Sequence, residues 1–397
     1  MNARLELPPL SLYVHLPWCV RKCPYCDFNS HGIGTRAIPD QAYADALIRD
    51  LEHDLPRWRG RRFQTIFFGG GTPSLFSADA IGRLLDVLVR NDAIAPGAEV
   101  TLEANPGTAE AQRFAGYRGL GINRLSLGMQ SLDDASLKSL GRIHDSAEAI
   151  RAAEWAHATG FTGINMDLMY GLPGQTGAAA VEDLRRLLAL RPTHVSWYQL
   201  TIEPNTAFYS EPPRLPDEDA IWDMHVRGQQ LLSAAGFRQY EVSAWAAPGH
   251  ECRHNLNYWE YGDYLGIGAG AHGKLTDVER GTVTRHVRHR LPERYMQLAG
   301  TPASVARRQE LAASDLVIEF MLNACRLSRG FALSLFTART GLDPEALAPG
   351  LRRAVELGLL VPGDGRVQPT ELGRRHLNDL LQLFLPEEQD LRAMAQR

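Results

Sequence analysis

Strand-like runs alternate with helical segments through the first half of the chain, and this alternation restricts the fold more than any other feature. Runs with strand character fall at Ser11–Leu16, Gln64–Phe68, Glu99–Glu103, Arg124–Leu127, Ile164–Met169 and His194–Leu200. Segments with apolar residues at helical spacing lie between them, at Ala42–Leu55, Ala80–Val89, Ser146–Ala158 and Ala178–Leu190. The first of these opens after Ile38-Pro39-Asp40, a helix-start signal. Repeated so often, the alternation predicts an α/β fold: a parallel sheet with helical crossovers, open or curled into a partial barrel.

The unusual residues gather at or just after the C-terminal ends of the strand-like runs, the face on which parallel α/β folds build their sites. Cys19, Cys23 and Cys26 follow the first run, spaced C-x3-C-x2-C with no fourth cysteine nearby. Three thiolates would hold a [4Fe–4S] cube, which normally takes four, and leave one iron open to an outside ligand. The competing reading is a tetrahedral zinc site closed by His15 or His31, although structural zinc sites usually pair their ligands in two separated knuckles. Gly69-Gly70-Gly71-Thr72 follows the second run, and Glu103 and Asn105 close the third. Gln130 ends the fourth, Arg142 comes a short helix later, and Asp167 stands in the fifth. Each signal is weak alone: a glycine triplet is usually a turn, and a strand-end carboxylate often caps a helix. Five aligned on one rim make coincidence a poor account.

Composition excludes several classes. With 397 residues the chain exceeds one average domain, and its net charge of −4 offers no basic field for nucleic acid. Five cysteines, three of them clustered, point to metal binding in a reducing compartment rather than a disulfide framework. Residues 1–9 carry no apolar signal-peptide core, and no run of about 18 apolar residues occurs, so a cytoplasmic protein is expected.

The cysteine spacing, the Gly-Gly-Gly-Thr-Pro turn and Glu103 at the third strand end resemble the radical S-adenosylmethionine (SAM) superfamily. The resemblance implies a partial (β/α)6 barrel, here residues 1–250, in which SAM chelates the open iron. One electron from the reduced cube would cleave the sulfonium to methionine and a 5′-deoxyadenosyl radical, shielded by an apolar barrel interior. Tyr13-Val-His15-Leu-Pro17, Ser126-Leu-Gly-Met-Gln-Ser131, Gly141-Arg142, Asp167-Leu-Met-Tyr-Gly-Leu-Pro173 and His254-Asn-Leu-Asn-Tyr-Trp259 narrow the match. Together they resemble the oxygen-independent coproporphyrinogen III oxidase-like group, and within it the HemW-type haem-chaperone branch. By similarity, Tyr13, Tyr25, Gly70, Gly71, Thr72, Glu103, Gln130, Arg142, Asp167 and Thr201 would line the SAM site. Gly71 and Thr72 would offer amides to the methionine moiety, Glu103 would accept from its ammonium, and Arg142 would pair with its carboxylate. Asp167 and Gln130 would reach the ribose hydroxyls.

Two departures separate the dehydrogenase from the chaperone. Phe28 stands where the dehydrogenase carries a further cysteine, and only about ten residues precede the first strand. Both favour haem binding and delivery to respiratory haem proteins, with handover at the membrane surface. The scaffold stays competent in principle for reductive SAM cleavage. The resemblance also implies an electron donor such as a flavodoxin or ferredoxin, and allows a homodimer. A coproporphyrinogen dehydrogenase and a radical SAM enzyme on another small substrate are the alternatives.

The His254–Trp259 string offers an imidazole as candidate haem ligand and Tyr258 and Trp259 as flat faces, with Cys252 a second candidate ligand. The alternative is a histidine that pins a loop against the barrel mouth. Residues 251–303 read as a connecting segment; in it, Gly266–Ala271 lacks the flanking elements of a dinucleotide fingerprint and reads as a close-packed turn near the SAM site. Residues 304–397 predict a smaller helical, winged-helix-like unit. Helices are expected at Ser314–Cys325, Leu351–Leu357 and Glu371–Phe384, and Leu359–Gln368 is expected to form a hairpin on an Asp-Gly turn. Residues 305–397 hold 12 arginines, no lysine and 12 acidic residues, which favours an interaction surface or substrate-covering lid over DNA binding. The tail from Leu385 is expected to be loosely ordered.

Overall fold

The computed structural model describes residues 4–58, 60–107 and 112–385, so the tail expectation lies outside the described residues beyond Leu385. Six strands lie side by side in chain order: β1 (Leu10–Leu16), β2 (Phe63–Gly70), β3 (Ile94–Ala104), β4 (Arg124–Gln130), β5 (Gly163–Tyr170) and β6 (His194–Gln199). Every neighbouring pair among them is parallel. The alternating runs in the sequence therefore locate all six, with ends extended by a few residues and β3 starting five residues earlier.

Six more strands extend this sheet: β7 (Arg238–Glu241), β8 (Ala244–Ala246), β9 (Asp263–Ile267), β10 (His272–Asp277), β11 (Thr282–Arg288) and β12 (Val305–Glu310). The order is β12-β11-β10-β9-β1-β2-β3-β4-β5-β6-β8-β7, twelve strands that do not close. β9 joins β1 in parallel, with Leu10 opposite Asp263, and β10 to β12 continue as an antiparallel meander. Residues 263–310 thus continue the barrel's sheet.

Period-two alternation gives the sheet two different faces. Leu12, Val14, Ile66, Phe68, Leu102, Leu125, Leu127, Met166 and Leu168 are buried on the outer face. They share one core with Leu84 and Leu88 of helix Ala78–Arg90, Ala152 and Ala153 of helix Ser146–Thr159, and Leu184 of helix Gly177–Ala189. The helix starts are fixed locally. Ser77 accepts from the Ala80 amide, and Asp145 and Glu148 form a reciprocal capping box. The opposite face carries Thr65, Glu99, Thr101, Glu103, Arg124, Ser126, Asn165, Asp167, His194 and Ser196. Apolar residues of the outer face are covered by helices, and the inner face is mixed: beside these polar groups, Tyr13, Phe67, Met169 and Tyr198 border the cavity it encloses.

From residue 311 a second apolar core gathers Phe320, Phe331, Phe336, Leu347, Leu360 and Val367. The expected hairpin forms, with Leu360–Gly363 antiparallel to Arg366–Pro369 across Asp364-Gly365. The expected last helix is interrupted at His376, which leaves the helical region (φ −109°, ψ 46°) between Glu371–Arg375 and Leu377–Gln382. This unit touches both ends of the open sheet. Helix Ala313–Ala324 begins shortly after edge strand β12 ends. The turn beyond it meets the other edge, β7. Leu327 bridges Glu241, the Ser328 amide donates to the Tyr240 carbonyl at 3.0 Å, and Arg326 pairs with Glu241 at 3.0 Å. No helix among the described residues is long and apolar enough to cross a membrane.

Candidate functional site

The loop after β1 carries the cysteines. Its ends are tied by a short parallel pairing of Trp18–Cys19 with His31–Gly32, and the Cys26 amide donates to the Cys23 carbonyl at 3.1 Å. All three thiols are free and half-buried, and they line one wall of a cavity of about 600 Å³ at the barrel mouth. Burial raises the Cys19 and Cys26 thiols above the ordinary range, opposed by hydrogen bonds from Thr72 and Ser30. Among the described residues, no group of three or more His, Cys, Asp or Glu side chains converges as a single metal ion would require. His15, weighed as a zinc ligand, has both ring nitrogens engaged: Tyr13 Oη at 3.0 Å and the Asn29 carbonyl at 2.9 Å.

All ten residues expected to line a SAM site border this cavity. Two have a different job from the one expected. The Gly71 and Thr72 amides donate to the Leu16 and Trp18 carbonyls, each at 2.8 Å, so they lock the cysteine loop to the end of β2. Glycine is required there because a Cβ on Gly71 would fall 2.6 Å from the Trp18 carbonyl oxygen. At Gly70 (φ 118°) it would meet the His15 ring. Glu103 accepts from the Gly70 amide at 3.1 Å. Enclosure and the neighbouring charge of Asp167 push its carboxyl up to about 7. Asp167 is raised too, again by burial, against hydrogen bonds from Ser196, Asn165 and Ser126.

Gln130 sits at φ 67°, a left-handed conformation uncommon outside glycine, just after a register shift in β4. Its side-chain Oε1 accepts from Tyr198 Oη at 2.6 Å. Arg142 reaches across the mouth. It donates to Asn105 at 2.6 Å, to the Gly128 carbonyl at 2.8 Å and to Cys23 Sγ at 3.7 Å, while its buried Nε has no partner among the described residues. Arg21 of the cysteine loop donates back to the Gly141 and Arg142 carbonyls at 2.5 and 3.1 Å, so loop and arginine hold each other. A cationic donor with spare hydrogen-bonding capacity beside three thiols fits a carboxylate-bearing ligand on an iron–sulfur cluster.

The residues at 252–259 are placed differently. Helix Arg253–Trp259 is capped by the Glu99 carboxylate, which accepts from the Arg253 and His254 amides at 3.1 and 3.0 Å and from Cys252 Sγ at 3.6 Å. Burial pushes the Cys252 thiol up to about 12. His254 is 1% exposed, with Nδ1 on Thr65 Oγ1 at 2.7 Å and Nε2 on Tyr258 Oη at 3.0 Å. Burial alone holds it down to about 3, so it is neutral and saturated. His254, Cys252 and Tyr258 border the first cavity; Trp259 instead lines a second one, under the Arg326 guanidinium 4.4 Å from its ring centroid.

The cavity also includes Arg124, Ser126, Asn165, His194 and Ser196, which reading strand ends did not single out. A signal existed. Each strand carries polar residues two apart within an apolar run, as in Arg124/Ser126, Asn165/Asp167 and His194/Ser196.

Residues 13–187 match the radical SAM superfamily model, and residues 311–376 match the HemN C-terminal domain. The haem chaperone HemW of Escherichia coli (strain K12) is 49% identical over 96% of this chain and 100% of its own. That of Haemophilus influenzae is 48% identical over the same shares. Among solved structures, coproporphyrinogen III oxidase (HemN) from Escherichia coli superposes with a TM-score of 0.81 at 24% identity, covering 96% of this chain and 91% of that one. At that identity the likeness speaks to the fold.

Proposed function

Because the chain belongs to the haem chaperone HemW family of the radical SAM superfamily, we propose that it binds a [4Fe–4S] cluster, SAM and haem and delivers haem to respiratory acceptor proteins. The observation that carries this is the shared cavity, which gathers three free cysteines and ten rim residues from separate strand ends. In this reading Cys19, Cys23 and Cys26 hold the cluster, whose reduced form supplies an electron to a bound sulfonium. Arg142 pairs its free Nε with the SAM carboxylate, and Glu103 accepts from the ammonium. Asp167 and Gln130, the latter fixed by Tyr198, face the ribose. The mutual grip of Arg21 and Arg142 holds the thiols and the arginine at one separation, which orients a ligand that spans both.

Phe28, which by the resemblance is expected to stand where a dehydrogenase carries a further cysteine, is 61% exposed on the cavity lip and presents an apolar face there. That supports binding of a flat apolar cargo over oxidation of a porphyrinogen. Ferric haem titrated into the anaerobically reconstituted protein, with and without SAM, should give a saturable Soret shift. Coproporphyrinogen III incubated with SAM and reductant should yield no vinyl product. An absent Soret shift, or vinyl product, overturns the reading.

A further inference from the structure

The glycine run Gly266–Ala271 leads into a histidine that the site above does not use. The Ala271 amide closes the turn on the Gly268 carbonyl at 3.0 Å, and His272 then opens β10. Unlike His254, the His272 side chain is exposed and makes no hydrogen bond to another described residue. It lines a second cavity of about 650 Å³, within the roughly 300–1,000 Å³ of small-molecule sites.

The walls of that cavity are chemically consistent. Phe28, Tyr258, Trp259 and Tyr264 supply aromatic surface, and Arg290 supplies a cation. Tyr264 packs edge-on against Tyr258 with centroids 4.5 Å apart, which fixes both rings. The Asn29 amide donates to the Ala269 and Arg290 carbonyls, each at 2.9 Å, tying the segments that carry His272 and Arg290 to the cysteine loop. Tyr13, Gly70 and Glu103 border both cavities, so the second adjoins the proposed SAM site. Partial burial of the ring against the cavity wall first, and then the charges of Arg285 and Arg290, keep the His272 imidazole below its ordinary range, leaving a nitrogen lone pair at neutral pH.

We propose that this second cavity seats the haem, with His272 as the iron ligand and Arg290 pairing with a propionate. The proposal rests on the haem-binding reading above and replaces the buried His254 with an imidazole that needs no unfolding to reach iron. A planar ligand would use the four aromatic residues as its walls, and an imidazole is a common axial ligand to haem iron.

Ferric haem titration of the full-length protein tests this directly, because an exposed, unpartnered residue can be replaced without loss of folding. His272→Ala should lose the imidazole-ligated absorption spectrum and weaken haem binding at least tenfold, and added free imidazole should restore the spectrum. Arg290→Ala should weaken binding about threefold with the spectrum unchanged. If His272→Ala keeps both the wild-type spectrum and affinity, the ligand assignment is overturned while haem binding stands. If the wild type itself gives no Soret shift, the haem-binding reading falls, and this assignment with it.

Discussion

The cysteine loop at residues 19–26 and the helix at 253–259 are both conspicuous in sequence, yet the fold treats them in opposite ways. In the loop, the Cys26 amide and the paired ends fix the backbone. The thiols, held by long contacts such as Ser30–Cys26 and Arg142–Cys23 at 3.7 Å, and the Arg142 Nε, without a partner among the described residues, stay available at a cavity wall. On the helix, Glu99 takes up two amides and a thiol, and Thr65 and Tyr258 occupy both nitrogens of His254. Buried polar groups are costly unless paired, so the paired groups of Glu99, Cys252 and His254 build the wall, whereas spare capacity at a cavity, as at the Arg142 Nε and at the Trp259 Nε1 that ends the same helix, invites a ligand. Chemical rarity along the chain does not distinguish the two. Hydrogen-bond saturation does.

The largest expected effect tests the open side of that contrast. Cys23→Ser should abolish iron–sulfur absorbance after anaerobic reconstitution while the circular dichroism spectrum stays that of the wild type. Equal loading of the variant would remove the cysteines from the ligand set. Next comes the closed side: His254→Ala should lower unfolding stability by about 3 kcal/mol, the scale for breaking a buried hydrogen-bonded network, in denaturant titration, with cluster loading retained. An unchanged midpoint would erase the difference between the two regions.

Smaller effects sharpen the picture around the loop. Arg142→Ala should weaken SAM binding roughly ten- to a hundredfold, the range for a charge-assisted hydrogen bond, by equilibrium dialysis on the cluster-loaded protein. An affinity equal to that of the wild type would assign the arginine to loop architecture alone. The smallest is a pH effect. Because burial and Asp167 push the Glu103 carboxyl up to about 7, it is mostly neutral at pH 6 and mostly ionised at pH 8. An ammonium ligand needs the ionised form, so SAM affinity should rise about tenfold over that interval. Glu103→Gln should flatten the rise, and an equally steep profile in that variant would locate the titration elsewhere.

The six parallel strands could be read from the sequence because their outer faces must be continuously apolar to meet the helices, and local pattern records that demand. The rim was legible for the same reason: strand ends are where such sheets place polar side chains. What could not be read locally was set by partners distant in the chain. The Gly71 and Thr72 amides look available in sequence, but Leu16 and Trp18, more than fifty positions earlier, take them. His254 looks like a ligand until Thr65, 189 positions away, accounts for Nδ1. β9 to β12 escaped notice because β9 is short and five of the seven residues of β11 are charged or polar, so the alternation is faint.

The contact between Leu327–Ser328 and β7 has a consequence for the chain's solution behaviour. An unclosed sheet ends in a row of unpaired backbone donors and acceptors, the template on which foreign strands add and aggregates grow. Here the C-terminal unit covers part of that row with its own backbone and an ion pair. Whatever that unit does for cargo, it also works as a built-in guard against self-association, and a truncated chain ending at residue 310 would lose this protection.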